Sequence, residues 1–299
     1  MACALLAVSP ARAYEPEYGA RSVKDKYEIL VGPDLWSRPD IDSRFAIKVL
    51  LDGIREVGYL AIVPPKVELR PILSPRVQPL SRIAGAAGAA AAINGGFFNR
   101  SDGVPASYLV ANGHLLADPR DNAALTGNPA LRPHLKEILD RPEWRVWTTP
   151  AGRRVAFEPH HIAPAPGWKL VHALQAGPLL LPYLGLHEGA FVRGQDDPIR
   201  SKARTGRSAI GLRNDGCTLL LALPMPPSRG LSILELQALL AKVGAIEAMA
   251  LDGGESSGFV IRPNDPKALW WGHDSHVRTA LGLILPAPKV KEKSKKSGH

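Results

Sequence analysis

Apolar residues crowd positions 46–63 and 67–73 with the alternation of strands, and Pro64-Pro65 breaks the run between them. Positions 80–92 carry so many Ala and Gly residues that a helix packed close to its neighbours is expected there. Positions 129–140 predict a short helix, with Pro133 in its first turn and Leu135, Ile138 and Leu139 on one side. The last third is the most regular. Thr218–Leu223 is a continuous apolar run of strand length, ended by Pro224-Met225-Pro226-Pro227. Ser232 and Glu235 have the spacing of a capping box, and Leu236, Leu239, Leu240 and Val243 extend a helical stripe that Gly244 stops. Residues 246–251 form the next strand, which runs directly into Asp252-Gly253-Gly254-Glu255-Ser256-Ser257-Gly258; Phe259 opens a further strand. A carboxylate at a strand end, followed by glycines that let a ligand approach the backbone, is a good place for a site.

Composition narrows the class. The chain has 299 residues, 45% hydrophobic and 22% charged, which fits a globular core. The 28 Gly and 28 Pro point to many turns rather than a helical bundle. No run of 18 apolar residues occurs, so a spanning helix is not expected. The formal charge of +9 is unevenly placed: Lys289–Lys296 holds five Lys and Glu292, a net +4, after Pro286-Ala287-Pro288. This stretch reads as a solvated disordered tail, with contact to an anionic surface as the alternative. No aromatic residue interleaves its lysines, so nucleic acid is not an expected partner. At the other end, Ala2–Val8 is apolar and Ala11-Arg12-Ala13 has the small-x-small form of a signal-peptidase site, although the positive stretch that normally precedes it is missing. Cleavage there would remove Cys3 and leave Cys217, which reads as a small buried hydrophobe. The expected organisation is a truncated leader over 1–13, a lead-in over 14–44, a catalytic domain over 45–286 and the basic tail over 287–299, in an exported, periplasmic or secreted protein.

Four polar or glycine-rich segments carry candidate chemistry: Asn94-Gly95-Gly96-Phe97-Phe98 with Asp102 shortly after, Ala176-Gly177-Pro178-Leu179-Leu180, Gly206-Arg207-Ser208-Ala209-Ile210-Gly211, and Leu251 to Ser257. Each alone is weak, since Asn-Gly-Gly is also a turn. Together and in this order they resemble the phosphodiester glycosidase family, whose pattern runs N-G-G-F-F, S-G-G-P-L-L, P-R-T-A-I-G and L-D-G-G-G-S-S. The first segment matches fully; the others differ by Ala176 for Gly, Gly206 and Ser208 for Pro and Thr, and Glu255 for Gly. Ser107 and Tyr108 stand where relatives often have a small residue. The resemblance implies a single-domain α+β fold with a mixed, largely antiparallel sheet flanked by helices. It also implies a hydrolase that cleaves the glycosidic bond of a sugar-1-phosphodiester, of the N-acetylglucosamine-1-phosphate type or from a related envelope or exopolysaccharide glycan. No cofactor is expected.

That reaction needs a phosphate clamp, groups holding the sugar, and proton transfer at the breaking bond. Arg207 suits the clamp because a guanidinium meets phosphate oxygens with paired hydrogen bonds; Arg278, in a short echo of the same segment, is either a second cation or a surface salt bridge. Asp252 is the first candidate for acid–base or oxocarbenium-stabilising work, with Glu255, or failing it Asp102, as second carboxylate. Asn94 either bonds sugar or phosphate or satisfies its own turn. Phe97 and Phe98 suit core packing, or one of them a sugar contact if the segment is extended. Substrate contacts are also expected from Gly95, Gly96, Phe98, Asp102, Gly177, Pro178, Gly253, Gly254, Ser256, Ser257 and Arg278.

Three other readings compete. Gly254-Glu255-Ser256-Ser257-Gly258 fits the G-x-S-x-G of a serine hydrolase, which requires a helix straight after the serine. His273 and His276, or His160 and His161, suggest metal ligands, but no acid or Cys spacing completes a zinc signature, so no metal is expected. Finally, the same pocket could belong to a non-catalytic glycan-binding or exopolysaccharide-assembly protein.

Overall fold

In chain order the strands are β1 (Glu28–Val31), β2 (Ala46–Asp52), β3 (Arg55–Val63), β4 (Glu68–Pro79), β5 (Ala91–Asn94), β6 (Leu109–Ala111), β7 (His114–Ala117), β8 (Pro142–Thr149) and β9 (Gly152–Pro159). They continue as β10 (Lys169–Gln175), β11 (Leu179–Leu181), β12 (Arg207–Arg213), β13 (Thr218–Leu223), β14 (Ala245–Ala250), β15 (Phe259–Ile261), β16 (Trp271–His273) and β17 (His276–Ile284). The helices are α1 (Leu80–Ala86), α2 (Ala123–Thr126), α3 (Leu135–Leu139), α4 (Glu188–Phe191) and α5 (Ile233–Lys242). This computed structural model describes residues 28–31, 46–52, 55–261 and 271–285. The expected leader, Cys3, most of the lead-in and the basic tail lie outside the described residues.

The pairings are antiparallel and build three sheets: β1-β2-β3-β13-β12-β14-β11, β7-β6-β10-β8-β9 and β16-β15-β5-β17-β4. The inner faces share one core, in which Ile210, Leu220 and Met249 of the first sheet meet Trp144 and Leu174 of the second and Ile93, Phe259 and Leu281 of the third. Tyr59 and Phe259 stack across it with ring centroids 6.0 Å apart.

Strand alternation explains why these strands are apolar on both sides. In β13, Leu220 and Ala222 face the shared core while Leu219, Leu221 and Leu223 face α5. In β15, Phe259 and Ile261 face the core while Val260 faces α1. Each of these two sheets is thus covered on its outer face by one helix, the α+β arrangement expected from the sequence. α5 starts at the capping box, with Ser232 accepting from the Glu235 amide and Glu235 accepting from the Ser232 amide.

The small-residue stretch departs from expectation. α1 ends at Ala86, Gly88 turns the chain with φ +66°, and Ala91–Asn94 is a strand, not helix. Ala91 and Ile93 face the shared core, Ala92 faces α1, and both backbone edges are taken by β15 and β17. Sheet pairing here overrides the helix preference of alanine. The helix expected over 129–140 is likewise shorter, a 3-10 turn at Arg132–His134 leading into α3. No helix among the described residues is long and apolar enough to cross a membrane.

Candidate active site

The four sequence segments come together because Ala250–Gly254 is hydrogen-bonded to each of the other three. The Gly177 amide donates to Ala250 O and the Ala250 amide to Pro178 O, both at 2.9 Å. The Leu251 amide donates to Ser208 O at 2.8 Å, the Asp252 amide to Gly95 O at 3.0 Å, and the Gly254 amide to Gly206 O at 2.8 Å. Where β14 ends, the chain therefore crosses from the seven-stranded sheet to the sheet containing β5, and its polar turn lies against the ends of both.

A cleft of about 630 Å³ opens there. Its wall carries the guanidinium groups of Arg100, Arg141, Arg193, Arg200 and Arg207 against the carboxylates of Asp252 and Glu255, so the cleft is cationic on balance. Asp252 is partly buried, and burial raises its pKa from 3.8 to about 6. Hydrogen bonds from the Ser256 hydroxyl and the Gly253 amide (2.9 Å), with the charges of Arg100 and Arg141, oppose that rise. The result is a carboxyl group that can exchange a proton near neutrality, at the foot of a cleft suited to an anion.

The family model for phosphodiester glycosidases matches residues 87–284. The chain belongs to the phosphodiester glycosidase family. Among solved structures it is similar to the catalytic domain of zebrafish N-acetylglucosamine-1-phosphodiester alpha-N-acetylglucosaminidase, auto-inhibited by its pro-peptide, at 17% identity and a TM-score of 0.57, covering 87% of this chain and 89% of that one. It is also similar to a hypothetical protein from Synechocystis, at 18% identity and a TM-score of 0.52, covering 79% of this chain and 61% of that one. At these identities the likeness is one of fold. No curated protein matches the sequence significantly.

The predicted site residues of this family member take distinct places. Asp252, Gly253, Gly254, Gly177, Pro178, Arg207 and Glu255 all line the cleft. Glu255 is exposed at its rim, where it is ion-paired with Arg100, and so stands apart from the enclosed Asp252. Asn94 is fully buried: its Nδ2 donates to Asp252 O at 2.7 Å and its Oδ1 accepts from the Gly258 amide at 3.1 Å. Its polar atoms hold the Asp252 turn rather than face the cleft. Arg207 is also buried, with Nε donating to Leu231 O at 2.8 Å, Nη1 to Ile199 O at 2.9 Å, and Nη2 to Arg200 O and Ala203 O at 2.7 and 3.1 Å. Four of its five N–H donors hold the 199–203 wall and the segment before α5.

Other predicted contacts lie outside the cleft. Asp102 accepts from the Val104 amide at 2.8 Å within its own turn, and Arg278 Nε donates to Gly103 O at 2.8 Å, bracing that turn from β17. Neither borders the cavity, and Arg278 makes no surface salt bridge among the described residues. Gly95 and Gly96 serve packing: a Cβ on Gly96 would lie 2.3 Å from Gln175 O. Phe98 packs toward α1, whereas Phe97 forms part of the cleft wall, the reverse of the expected assignment. Ser256 and Ser257 are buried beneath the turn, Ser256 accepting at its carbonyl from Ser275 Oγ at 2.9 Å. Ser256 ends a 3-10 turn and is followed by β15, so the strand–serine–helix geometry of a serine hydrolase is not built here. His160 Nδ1 lies 2.6 Å from Glu143 and His161 Nδ1 2.7 Å from Asp140, each on a different carboxylate.

Sequence reasoning missed Arg141, Phe191 and the arginines of the 193–200 loop. Phe191, fully buried on α4, sits so close to Gly177 that a Cβ there would lie 2.5 Å from its ring; the Gly177 φ of +127° also favours glycine. Arg141 precedes Pro142 at the start of β8, and nothing in its local sequence separates it from a surface charge.

Proposed function

We propose that this chain is a hydrolase that cleaves the glycosidic bond of sugar-1-phosphodiesters. The observation that carries the reading is Asp252: a carboxyl group tuned to about 6, fixed at the foot of an arginine-lined cleft. A phosphate leaving group is a weak base and departs without protonation once cations neutralise it, so the demanding step is activation of water. Asp252, mostly ionised at pH 7, takes a proton from water as the water oxygen bonds to the anomeric carbon. The bond from that carbon to the phosphate oxygen breaks, its electron pair stays on the phosphate, and Asp252 passes the proton to the released phosphate or to solvent. Glu255, paired to Arg100 at the rim, acts on the group beyond the phosphate and tunes substrate choice.

The sugar class we favour is N-acetylglucosamine-1-phosphate or a related envelope glycan, a choice supported by the named activity of the zebrafish relative. An exported protein acting on exopolysaccharide is consistent with the leader-like 1–13 segment. The rival reading is a glycan-binding protein without turnover. The test is release of sugar from N-acetylglucosamine-1-phosphate diesters with methyl, p-nitrophenyl and nucleotide aglycones. Release by wild type, lost in Asp252→Asn, supports the enzyme. Binding of the diesters by folded wild type without release from any of them selects the rival.

A further inference from the structure

We propose that Arg141, a residue outside the four family segments, is the phosphate-binding cation of the cleft, and that Arg207 is a positioning residue for its wall. The assignment rests on the phosphodiester glycosidase reading of the cleft.

The two arginines differ in what holds them. Arg207 spends four donors on backbone carbonyls of its own loops. Arg141 is only 7% exposed yet nearly unpartnered: Nε meets no acceptor, and Nη1 reaches Ala106 O only at 3.5 Å, the limit of a hydrogen bond. Its guanidinium carbon lies 4.9 Å from the centre of the Phe97 ring, over the face of that ring. A ring contact of this kind takes up a face of the guanidinium and leaves the N–H edge for an in-plane acceptor. Burial and the nearby charge of Arg193 lower its pKa to about 10, so it remains a cation at neutral pH.

A buried charge with so little compensation is costly, and an incoming anion relieves it. Asp252, which lines the same cleft, is the carboxylate whose charge opposes the lowering of the Arg141 pKa among the described residues. A phosphodiester held by Arg141 therefore lies beside the group that activates water, and its two free oxygens match the paired donors of a guanidinium. The same placement makes Arg141 one of the two cations that hold the Asp252 pKa down.

The test measures binding of inorganic phosphate by calorimetry, together with the pH profile of kcat/KM, in wild type, Arg141→Met, Arg141→Lys and Arg207→Lys. Phosphate binding is expected to weaken roughly ten- to hundredfold in Arg141→Met, and less in Arg141→Lys, which keeps the charge but loses the fork. The acidic limb is expected to move to higher pH in Arg141→Met and to stay in place in Arg207→Lys. Phosphate binding unchanged in both Arg141 variants overturns the proposal, as does wild type that fails to bind phosphate. Should Arg141→Met not fold, Arg141→Lys decides alone. Phosphate binding that depends on Arg141 without sugar release defeats the proposed hydrolysis while leaving this assignment standing.

Discussion

Asn94 holds Asp252 directly, its Nδ2 donating to Asp252 O, while the Asp252 amide donates to the neighbouring Gly95 O and the Gly258 amide to Asn94 Oδ1. One fully buried amide side chain thereby fixes both ends of the turn that carries the Asp252 carboxylate. Asn94→Ala is expected to cost about 2–4 kcal/mol of stability, because it orphans a buried carbonyl and a buried amide. It should also lower kcat/KM at temperatures where the protein stays folded. Urea unfolding alongside kinetics checks both; an Asn94→Ala variant of unchanged stability would contradict this role.

The pH dependence follows from the raised pKa of Asp252. As a base, Asp252 must be ionised, so kcat/KM is expected to rise as pH increases through about 6 and then level off. Asp252→Asn is expected to lose turnover by several orders of magnitude. A profile that instead falls through this region would make Asp252 the proton donor.

The same shift predicts stability. The folded pKa lies above the unfolded value of about 3.9, so the fold favours the protonated form. The resulting penalty is absent below the unfolded pKa and complete above pH 6 or so. Asp252→Asn is therefore expected to melt higher than wild type at pH 7, by up to about 2 kcal/mol, with the gain vanishing near pH 4. Thermal unfolding at the two pH values measures it.

Arg207 is predicted to act mainly on stability. Replacing it by Ala removes the side-chain donor from four carbonyls and leaves those of Ile199 and Ala203 without the bond it supplies, at a cost of about 3 kcal/mol. Lysine cannot reproduce the fork and should rescue only in part. Denaturant midpoints of the two variants read this directly.

Ser256 donates to Asp252 and lowers its pKa. Ser256→Ala should therefore retain hydrolysis while moving the acidic limb of kcat/KM upward. Loss of all activity together with loss of fluorophosphonate labelling would instead revive the nucleophile reading.

Much of the site was legible because its parts are local strings. The capping box of α5, the strand leading into Asp252, and the Gly177-Pro178 turn each declare themselves through residue types needed within a few positions. Phe97 and Phe98 were not legible in the same way. Which of two neighbours faces the cleft depends on where β5 hands over to the bridge between Phe98 and Pro105, and that register is set by other strands. The Ala-rich 80–92 stretch failed for a related reason, since its second half satisfies its backbone through β15 and β17, strands over 160 residues away in sequence.

The sequence alone determined the family, through it the α+β class, and singled out Asp252 as the candidate carboxylate, because short motifs are properties of neighbouring residues. Only the tertiary structure decided what the arginines do. Arg207 and Arg141 are the same side chain, and their difference lies in the carbonyls that distant loops bring to one and withhold from the other. The charge of a guanidinium can be read from its letter; whether that charge is already satisfied depends on what the fold packs around it.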